Sequence, residues 1–192
     1  MPERCTDISL KALDAEILRL ERRQSSNRLL LAFLTSLLAI AAAAVLLSQF
    51  WLTALQVEGT SMNPDLAQGD KVLAIHSGVI KKNDVIAFYF GNRIMIKRVI
   101  AVGGETVDID AQGAVSVDGR RLDEPYVTGQ GLGDCDIELP FKTPDGEYFV
   151  MGDNRAASED SRLAIIGPVK KQQALGKVIF KLWPINRMGF EG

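Results

Sequence analysis

Histidine and cysteine are scarce in this chain of 192 residues, which has one histidine and two cysteines. Zinc sites are built from clusters of these residues at fixed spacings, and the sequence has no such cluster. A glycine-rich phosphate loop is also lacking, because GQGLGD at 129–134 has neither the spacing nor the strand-to-helix context of one. We therefore expect no metal and no cofactor.

An excess of positive charge is also lacking, since the net charge is −2 and no run of Lys and Arg is interleaved with aromatic residues. Proteins that bind nucleic acids need such a basic surface to neutralise phosphates. The composition therefore excludes nucleic acid as a partner, and it leaves the oligomeric state open.

Charged residues are missing altogether from Leu29 to Val57. As a helix, the apolar stretch 29–52 is about 36 Å long, enough to cross a hydrocarbon core of about 30 Å. The alternative is a cleaved secretory signal, but a signal has a shorter apolar core and a small-x-small cleavage site, and this stretch follows a polar segment of 28 residues. The pattern predicts an uncleaved transmembrane helix over 29–52.

Basic residues flank only one end of this stretch, and the first charge beyond its other end is Glu58. The basic residues are Arg19, Arg22, Arg23 and Arg28. Positive flanks stay in the cytoplasm, so we expect a single-pass protein of the plasma membrane with a cytoplasmic segment 1–28 and an extracytoplasmic domain 53–192. Cys5 and Cys135 would then lie on opposite sides and could not pair.

The cytoplasmic segment carries one apolar stripe, with leucine or isoleucine at positions 10, 13, 17 and 20. This spacing predicts an amphipathic helix. A helix that lies on the membrane or leads into the span is favoured over a dimerising coiled coil, because two heptads are too few for a sustained repeat.

Glycine is absent before position 59, and all 17 glycines lie at or after it. There the pattern changes to short segments rich in β-branched and aromatic residues and bounded by turn residues, which predict a mainly β domain. The predicted strands are 70–75, 84–90, 93–102, 105–109, 114–117, 147–151 and 177–183. Asp118 and Gly119 predict a two-residue hairpin turn, because such turns need positive φ at both positions, and 123–146 is predicted to be a long loop.

Ser61 lies in VEGTSMNPDL (57–66), between a glycine and a proline that favour a turn. A serine nucleophile needs a base. His76 is disfavoured, since a histidine at a strand end is more often solvent-facing or satisfied in the core. In RIMIKRVI the two-residue period places Lys97 between apolar neighbours on one face, where burial would favour a neutral amine; the alternative is an edge lysine that points to solvent.

A third segment, GDNRAASEDSR (152–162), follows the strand EYFVM with two Asp, two Arg, an Asn and two Ser in 11 residues. Alternating charges at this density favour a hydrogen-bonded ion network that fixes a loop. An ordinary solvated loop is the alternative that spacing alone leaves open.

Taken in order, GTSMNPDL, IKRVIAVGGETV and GDNRAASEDSR resemble the signature boxes of bacterial-type signal peptidase I, a membrane-bound serine protease that removes signal peptides. The resemblance implies a compact antiparallel β-sheet catalytic domain behind a single membrane helix. It also implies signal-peptide-bearing preproteins and the lipid bilayer as partners, and it extends through VSVDGRRLDEPYV and PDGEYFVMGDNR.

The resemblance also implies roles for individual residues. Ser61 matches the nucleophile, whose backbone N–H is one oxyanion donor, and Lys97 matches the general base. Ser158 matches the serine that orients the lysine amine, and Met62 matches a methionine that shapes the substrate site. The positions that match a supporting structural network are Arg98, Asp153, Arg155, Asp160 and Arg162.

Several positions depart from the family pattern. Gly59 replaces a serine that completes the oxyanion hole in some members, so the second donor is open. Asp65 replaces a threonine, Ala156 and Ala157 replace a polar pair, and four residues rather than two separate Arg162 from Gly167. The large inserted β domain of some relatives is absent.

Three other hypotheses fit parts of the sequence. A self-cleaving repressor-type peptidase shares a Ser/Lys dyad but needs a DNA-binding domain, and here the N-terminal part is the predicted anchor. A catalytically silent, membrane-tethered β module would bind exported proteins without needing Lys97. A specialised paralogue with a narrow substrate range would keep all three boxes.

Overall fold

The computed structural model describes residues 28–46, 51–76, 78–127 and 131–190. The chain divides into two units, Met1–Phe50 and Trp51–Gly192. Among the described residues of the first unit, one helix, α1, spans Arg28–Leu46. The predicted amphipathic segment lies outside the described residues, apart from Arg28.

Helix α1 contains only apolar or small polar residues after Arg28, and its side chains are exposed along its whole length. Its mean hydropathy is 2.6 over a window long enough to cross a membrane. Exposed leucines and phenylalanines on every face of a helix are typical of a lipid environment. The predicted helix extended to Leu52, whereas in the structure Leu52 begins a strand.

The regular secondary structure described in the second unit consists mainly of antiparallel strands, joined by long loops and turns. Their bounds are β1 Leu52–Gln56, β2 Lys71–Ile75, β3 Val85–Phe90, β4 Arg93–Val102, β5 Thr106–Ile109, β6 Val115–Val117, β7 Arg120–Arg121, β8 Phe141–Lys142, β9 Glu147–Met151, β10 Val169–Lys170, β11 Ala174–Trp183 and β12 Gly189–Phe190. Short 3-10 turns occur at Arg155–Ala157, Lys171–Gln173 and Ile185–Arg187. The predicted mainly β fold is confirmed.

Two sheets carry these strands. The larger has the order β1-β2-β11-β3-β4-β9-β10, with β12 paired to β11, and the smaller has the order β7-β6-β5-β8. The β6–β7 turn has positive φ at both Asp118 (51°) and Gly119 (73°), as the sequence predicted for this hairpin. Because β11 pairs with β2, residues 174–183 return to the strand that follows the Ser61 segment.

Strand β4 contributes to all three apolar clusters of the domain. Ile96 belongs to the cluster around Val57, Met62 and Leu66. Ile100 belongs to a second cluster, with strands β5 and β6, and Val99 belongs to a third, with β3 and β9. A strand covered on both faces has no solvent-facing side in its middle, so a polar residue there is taken out of water.

Candidate active site

Ser61 stands at the start of a tight turn, residues 61–66, which we call the nucleophile turn after the role that the sequence predicts for Ser61. Gly59 precedes it with φ of 78°, a conformation that other residues rarely adopt. The N–H of Leu66 donates to the carbonyl of Met62 at 2.9 Å. Met62 and Leu66 are buried in the core, so they fix the turn from below while Ser61 stays partly exposed.

Lys97 lies 36 positions after Ser61 in the sequence, and the two side chains are in contact. The distance from Lys97 Nζ to Ser61 Oγ is 2.6 Å. Lys97 is only 4% exposed, in the middle of β4. Burial lowers the pKa of Lys97 from 10.5 to about 8, against the opposing effect of the negative charges of Asp160 and Glu159. At pH 7 about one tenth of the amine is therefore neutral.

This pair has the geometry for proton transfer from a hydroxyl to an amine. In the charged form Nζ donates to Oγ, and in the neutral form the hydroxyl of Ser61 donates to the lone pair of Nζ. Within the described part of the chain, the N–H of Ser61 has no hydrogen-bond acceptor. A free N–H beside a nucleophile is the donor that an oxyanion requires.

Ser158 and Asp160 form the next layer of the site. The Ser158 hydroxyl donates to Asp160 Oδ2 at 2.7 Å. Arg162 Nε and Nη2 donate to the two oxygens of the same carboxylate, each at 2.8 Å. Among the hydrogen bonds of the described residues, none joins Ser158 to Lys97, so the orientation of Lys97 by Ser158 stays a prediction.

Gly152 is the point at which this layer contacts the nucleophile turn. Its N–H donates to Asp160 Oδ2 at 2.9 Å. A Cβ at this position would lie 2.2 Å from Ser158 Oγ and 2.5 Å from the carbonyl oxygen of Ser61. Asn154 also ties the two segments together, because its backbone N–H donates to the same Ser61 carbonyl at 3.0 Å.

Arg98, the residue after Lys97, holds the nucleophile turn from the other side. It donates to both oxygens of Asp153, at 2.8 and 2.7 Å, and to Asp65 Oδ2 at 2.9 Å. Its guanidinium lies 4.1 Å from the centre of the Tyr126 ring, within cation–π range. The substitution of threonine by Asp65 thus adds an ion pair between the turn and β4.

Arg155 is paired with Glu124, not with an acid of its own segment. Its Nη1 and Nη2 donate to the two Glu124 oxygens, at 3.1 and 2.6 Å. Tyr126 donates its hydroxyl to Glu124 at 3.0 Å, and burial together with this carboxylate raises the pKa of Tyr126 well above its usual value. The start of the long loop is thereby fixed against the site.

A family model described as signal peptidase, peptidase S26, matches residues 30–183, which include the whole of this site. The chain belongs to the signal peptidase family. It is 32% identical over 177 residues to signal peptidase IB of Staphylococcus aureus strain MRSA252, covering 80% of this chain and 91% of that protein. It is 28% identical over 184 residues to signal peptidase I of Bacillus licheniformis, covering 88% and 96%.

A crystal structure of a signal peptidase I from Enterococcus faecalis matches with a TM-score of 0.45 and 28% identity, covering 52% of this chain and 97% of that one. The family match and the relatives confirm the resemblance read from the three boxes: the chain is a bacterial-type signal peptidase I, a serine peptidase that hydrolyses peptide bonds. Signal-peptide removal is the activity of this family.

The single histidine of this signal peptidase, His76, contacts a backbone carbonyl group and not Ser61. His76 is exposed, and its Nδ1 is 2.6 Å from the carbonyl oxygen of Leu175 on β11. Within the described residues, no group of three or more acidic, histidine or cysteine side chains is placed to hold a metal ion.

The sequence did not point to several residues that hold the signal peptidase site together. Gly152, Glu124 and Tyr126 lie inside segments that the sequence singled out, GDNR and DEPY, but their roles depend on contacts that spacing does not reveal. Lys181 and Arg187 lie more than 115 positions from the nucleophile turn, and no local signal connects them to it.

Proposed function

We propose that this signal peptidase is anchored in the plasma membrane by one helix and removes signal peptides outside the cytoplasm through a Ser61–Lys97 dyad. The observation that carries the proposal is the 2.6 Å contact between Lys97 Nζ and Ser61 Oγ, at a lysine whose pKa is lowered to about 8. A buried amine of this kind is a general base near neutral pH.

The reaction proceeds by acyl transfer. Ser61 Oγ attacks the carbonyl carbon before the cleavage site while its proton moves to the neutral amine of Lys97. The resulting ammonium protonates the leaving amine, which departs as the new N-terminus of the mature protein. Water then attacks the ester carbonyl carbon and gives one proton to Lys97. The Lys97 ammonium returns this proton to Ser61 Oγ as the ester bond breaks, and the released signal peptide loses its carboxyl proton to solvent.

The negative oxygen formed during attack is stabilised by the N–H of Ser61. Gly59 supplies no hydroxyl to this oxygen, so the Ser61 N–H is the one donor that we assign to it. The alternatives for a second donor are Thr60, a water molecule or none. Strand β1, one of the two edge strands of the larger sheet, ends at Gln56, and four residues separate it from the nucleophile turn. We propose that the extended substrate lies against an exposed strand edge near Ser61.

Anchorage follows from helix α1 and its flanks. Nineteen residues of mean hydropathy 2.6 form a helix of about 28 Å, close to the thickness of the hydrocarbon core. The arginines before it favour a cytoplasmic N-terminus, which puts Ser61 on the outer side. A preprotein held in the same membrane meets the site at a high effective concentration.

Cleavage is tested with the full chain in liposomes and a model preprotein that has an Ala-x-Ala site, with mass spectrometry of the new N-terminus. We expect Ser61→Ala and Lys97→Met each to lower kcat by at least about 10³. His76→Ala is the matched control and should cleave normally. A Lys97→Met enzyme with normal turnover would contradict the dyad and leave a site that does not need this base.

Topology is tested with the two native cysteines. A membrane-impermeant maleimide added to intact cells should label Cys135, which is partly exposed, and should label Cys5 only after permeabilisation. The Cys5→Ser and Cys135→Ser variants assign each signal. Labelling of Cys5 in intact cells would reverse the proposed orientation.

A further inference from the structure

The end of β11 and the segment after it reach back to the nucleophile turn. Arg187 Nη2 donates to the carbonyl oxygen of Pro64 at 2.7 Å and to that of Asp65 at 3.2 Å. Lys181 Nζ donates to the same Asp65 carbonyl. Two cations thus contact the main chain of the turn that carries Ser61, from a part of the sequence more than 115 positions away.

The carbonyl groups of the turn are held in two halves. In the first half, Thr60 and Ser61 accept hydrogen bonds from Asn154, at 3.3 and 3.0 Å. In the second half, Pro64 and Asp65 accept from Arg187 and Lys181. The orientation of the turn about its buried residues is therefore set by Asn154 on one side and by Arg187 and Lys181 on the other.

The acidic side chain of Asp70 keeps Arg187 in this position. Asp70 Oδ2 lies 3.7 Å from Arg187 Nη1 and 3.9 Å from Lys181 Nζ. The same Asp70 oxygen accepts the N–H of Ala67 at 2.9 Å, just after the turn. The guanidinium therefore bridges the last carbonyls of the turn and the acid at its base.

We propose that Arg187 is a positioning residue for signal-peptide cleavage, which holds the second half of the nucleophile turn so that Ser61 Oγ stays against Lys97. This inference rests on the Ser61–Lys97 chemistry proposed above. Arg187 does not touch the reacting atoms; it acts through the carbonyl groups of Pro64 and Asp65.

A positioning role and a role in stability predict different results. The Arg187 side chain is 38% exposed, and its neighbours Ile185 and Met188 are 69% and 50% exposed. Removing an exposed cation opens no cavity, so the melting temperature should change by no more than about 2 °C. A displacement of the nucleophile by about 1 Å, in contrast, lowers the rate by up to about 100-fold.

The protonation of Lys97 reports independently on whether the nucleophile turn stays packed against its amine. The charged groups that act on the Lys97 amine are Asp160, Glu159, Asp153 and Arg162, and Arg187 is not one of them. If the turn loosens, water reaches the amine and its pKa rises. The acid limb of the pH–activity profile should then move to higher pH without any change in the charges around Lys97.

The experiment compares Arg187→Gln, Arg187→Lys and the exposed control Arg120→Gln on β7, each as the full chain in liposomes with the same preprotein. For Arg187→Gln we expect kcat to fall about tenfold or more, with KM within about twofold and the acid limb shifted upward by about half a unit. Arg187→Lys keeps one charged donor group. It should therefore restore part of kcat and reverse part of the upward shift of the acid limb. Arg120→Gln should match the wild type.

Two outcomes would overturn the inference. An Arg187→Gln enzyme with an unshifted acid limb and normal kcat would show that the turn does not depend on Arg187. A loss of kcat that follows a fall in melting temperature, with no shift of the limb, would show a role in folding only. Ser61→Ala in the same assay separates these results from failure of the dyad, because full turnover by that variant would refute the chemistry itself.

Discussion

Replacing the proposed catalytic base should make the protein more stable. Lys97 is 4% exposed, and its pKa is lowered from 10.5 to about 8, mainly because burial disfavours the charged form. A difference of about two and a half pKa units corresponds to about 3 kcal/mol. At pH 7 that free energy opposes folding, because the lysine is charged in both states and only the folded state removes it from water.

The sign of the pH dependence follows from the same values. Below pH 8 Lys97 binds its proton in the folded and the unfolded chain, so the full cost of burial is present. Between about pH 8 and 10.5 only the unfolded chain keeps the proton, so the stability of the wild type rises with pH. Lys97→Met should therefore raise the free energy of unfolding by up to about 3 kcal/mol at pH 7 and by little above pH 10.

The assay is urea-induced unfolding of the full chain in detergent micelles at pH 7 and pH 10, followed by tryptophan fluorescence. The control is Lys177→Met, which removes a lysine whose side chain is 32% exposed and paired with Asp84 at 2.6 Å, and it should give no gain. A Lys97→Met variant that is no more stable than the wild type at pH 7 would refute the reasoning, because Lys97 would then lie in a well-solvated site.

Two further predictions concern the surroundings of the dyad. Gly152→Ala places a methyl group 2.2 Å from Ser158 Oγ and 2.5 Å from the Ser61 carbonyl, so we expect loss of turnover and a destabilisation of about 1–3 kcal/mol, whereas Gly131→Ala, which meets open space, should have neither effect. Normal turnover and melting temperature in Gly152→Ala would contradict this close approach. Glu159 is exposed and its charge raises the pKa of Lys97, so Glu159→Gln should move the acid limb of the activity profile down by about a few tenths of a unit at low salt and by less at 1 M salt. An acid limb that stays in place at low salt would exclude this electrostatic effect.

The strands of the β domain could be predicted because their signals are local. Each of the seven predicted segments overlaps a strand of the structure, from β2 to β11. Runs of β-branched and aromatic residues between turn residues favour a strand on local grounds, whatever the rest of the chain does. Strand β1 was missed because LTALQ reads as the end of the apolar run, and strands β7, β8, β10 and β12, of two residues each, are too short to have a pattern.

The candidate site was predictable only in its most local features. The sequence singled out Ser61 by its turn residues and Lys97 by its apolar neighbours, and the resemblance to signal peptidase I joined the two. The pairing of Arg155 with Glu124, and not with an acid of its own segment, was not predictable. The same is true of the Ser158 hydroxyl, whose contact is with Asp160.

By itself, the sequence determined seven of the twelve described strands and the stretch that is apolar enough for a membrane, and it pointed to Ser61 and Lys97 as the predicted dyad. These properties depend on residues that are neighbours in the chain. The tertiary structure alone decided that β11 lies between β2 and β3 and that Arg187 returns to the carbonyl groups of Pro64 and Asp65. Contacts of that kind depend on strand order and on the closure of long loops, which local patterns do not specify.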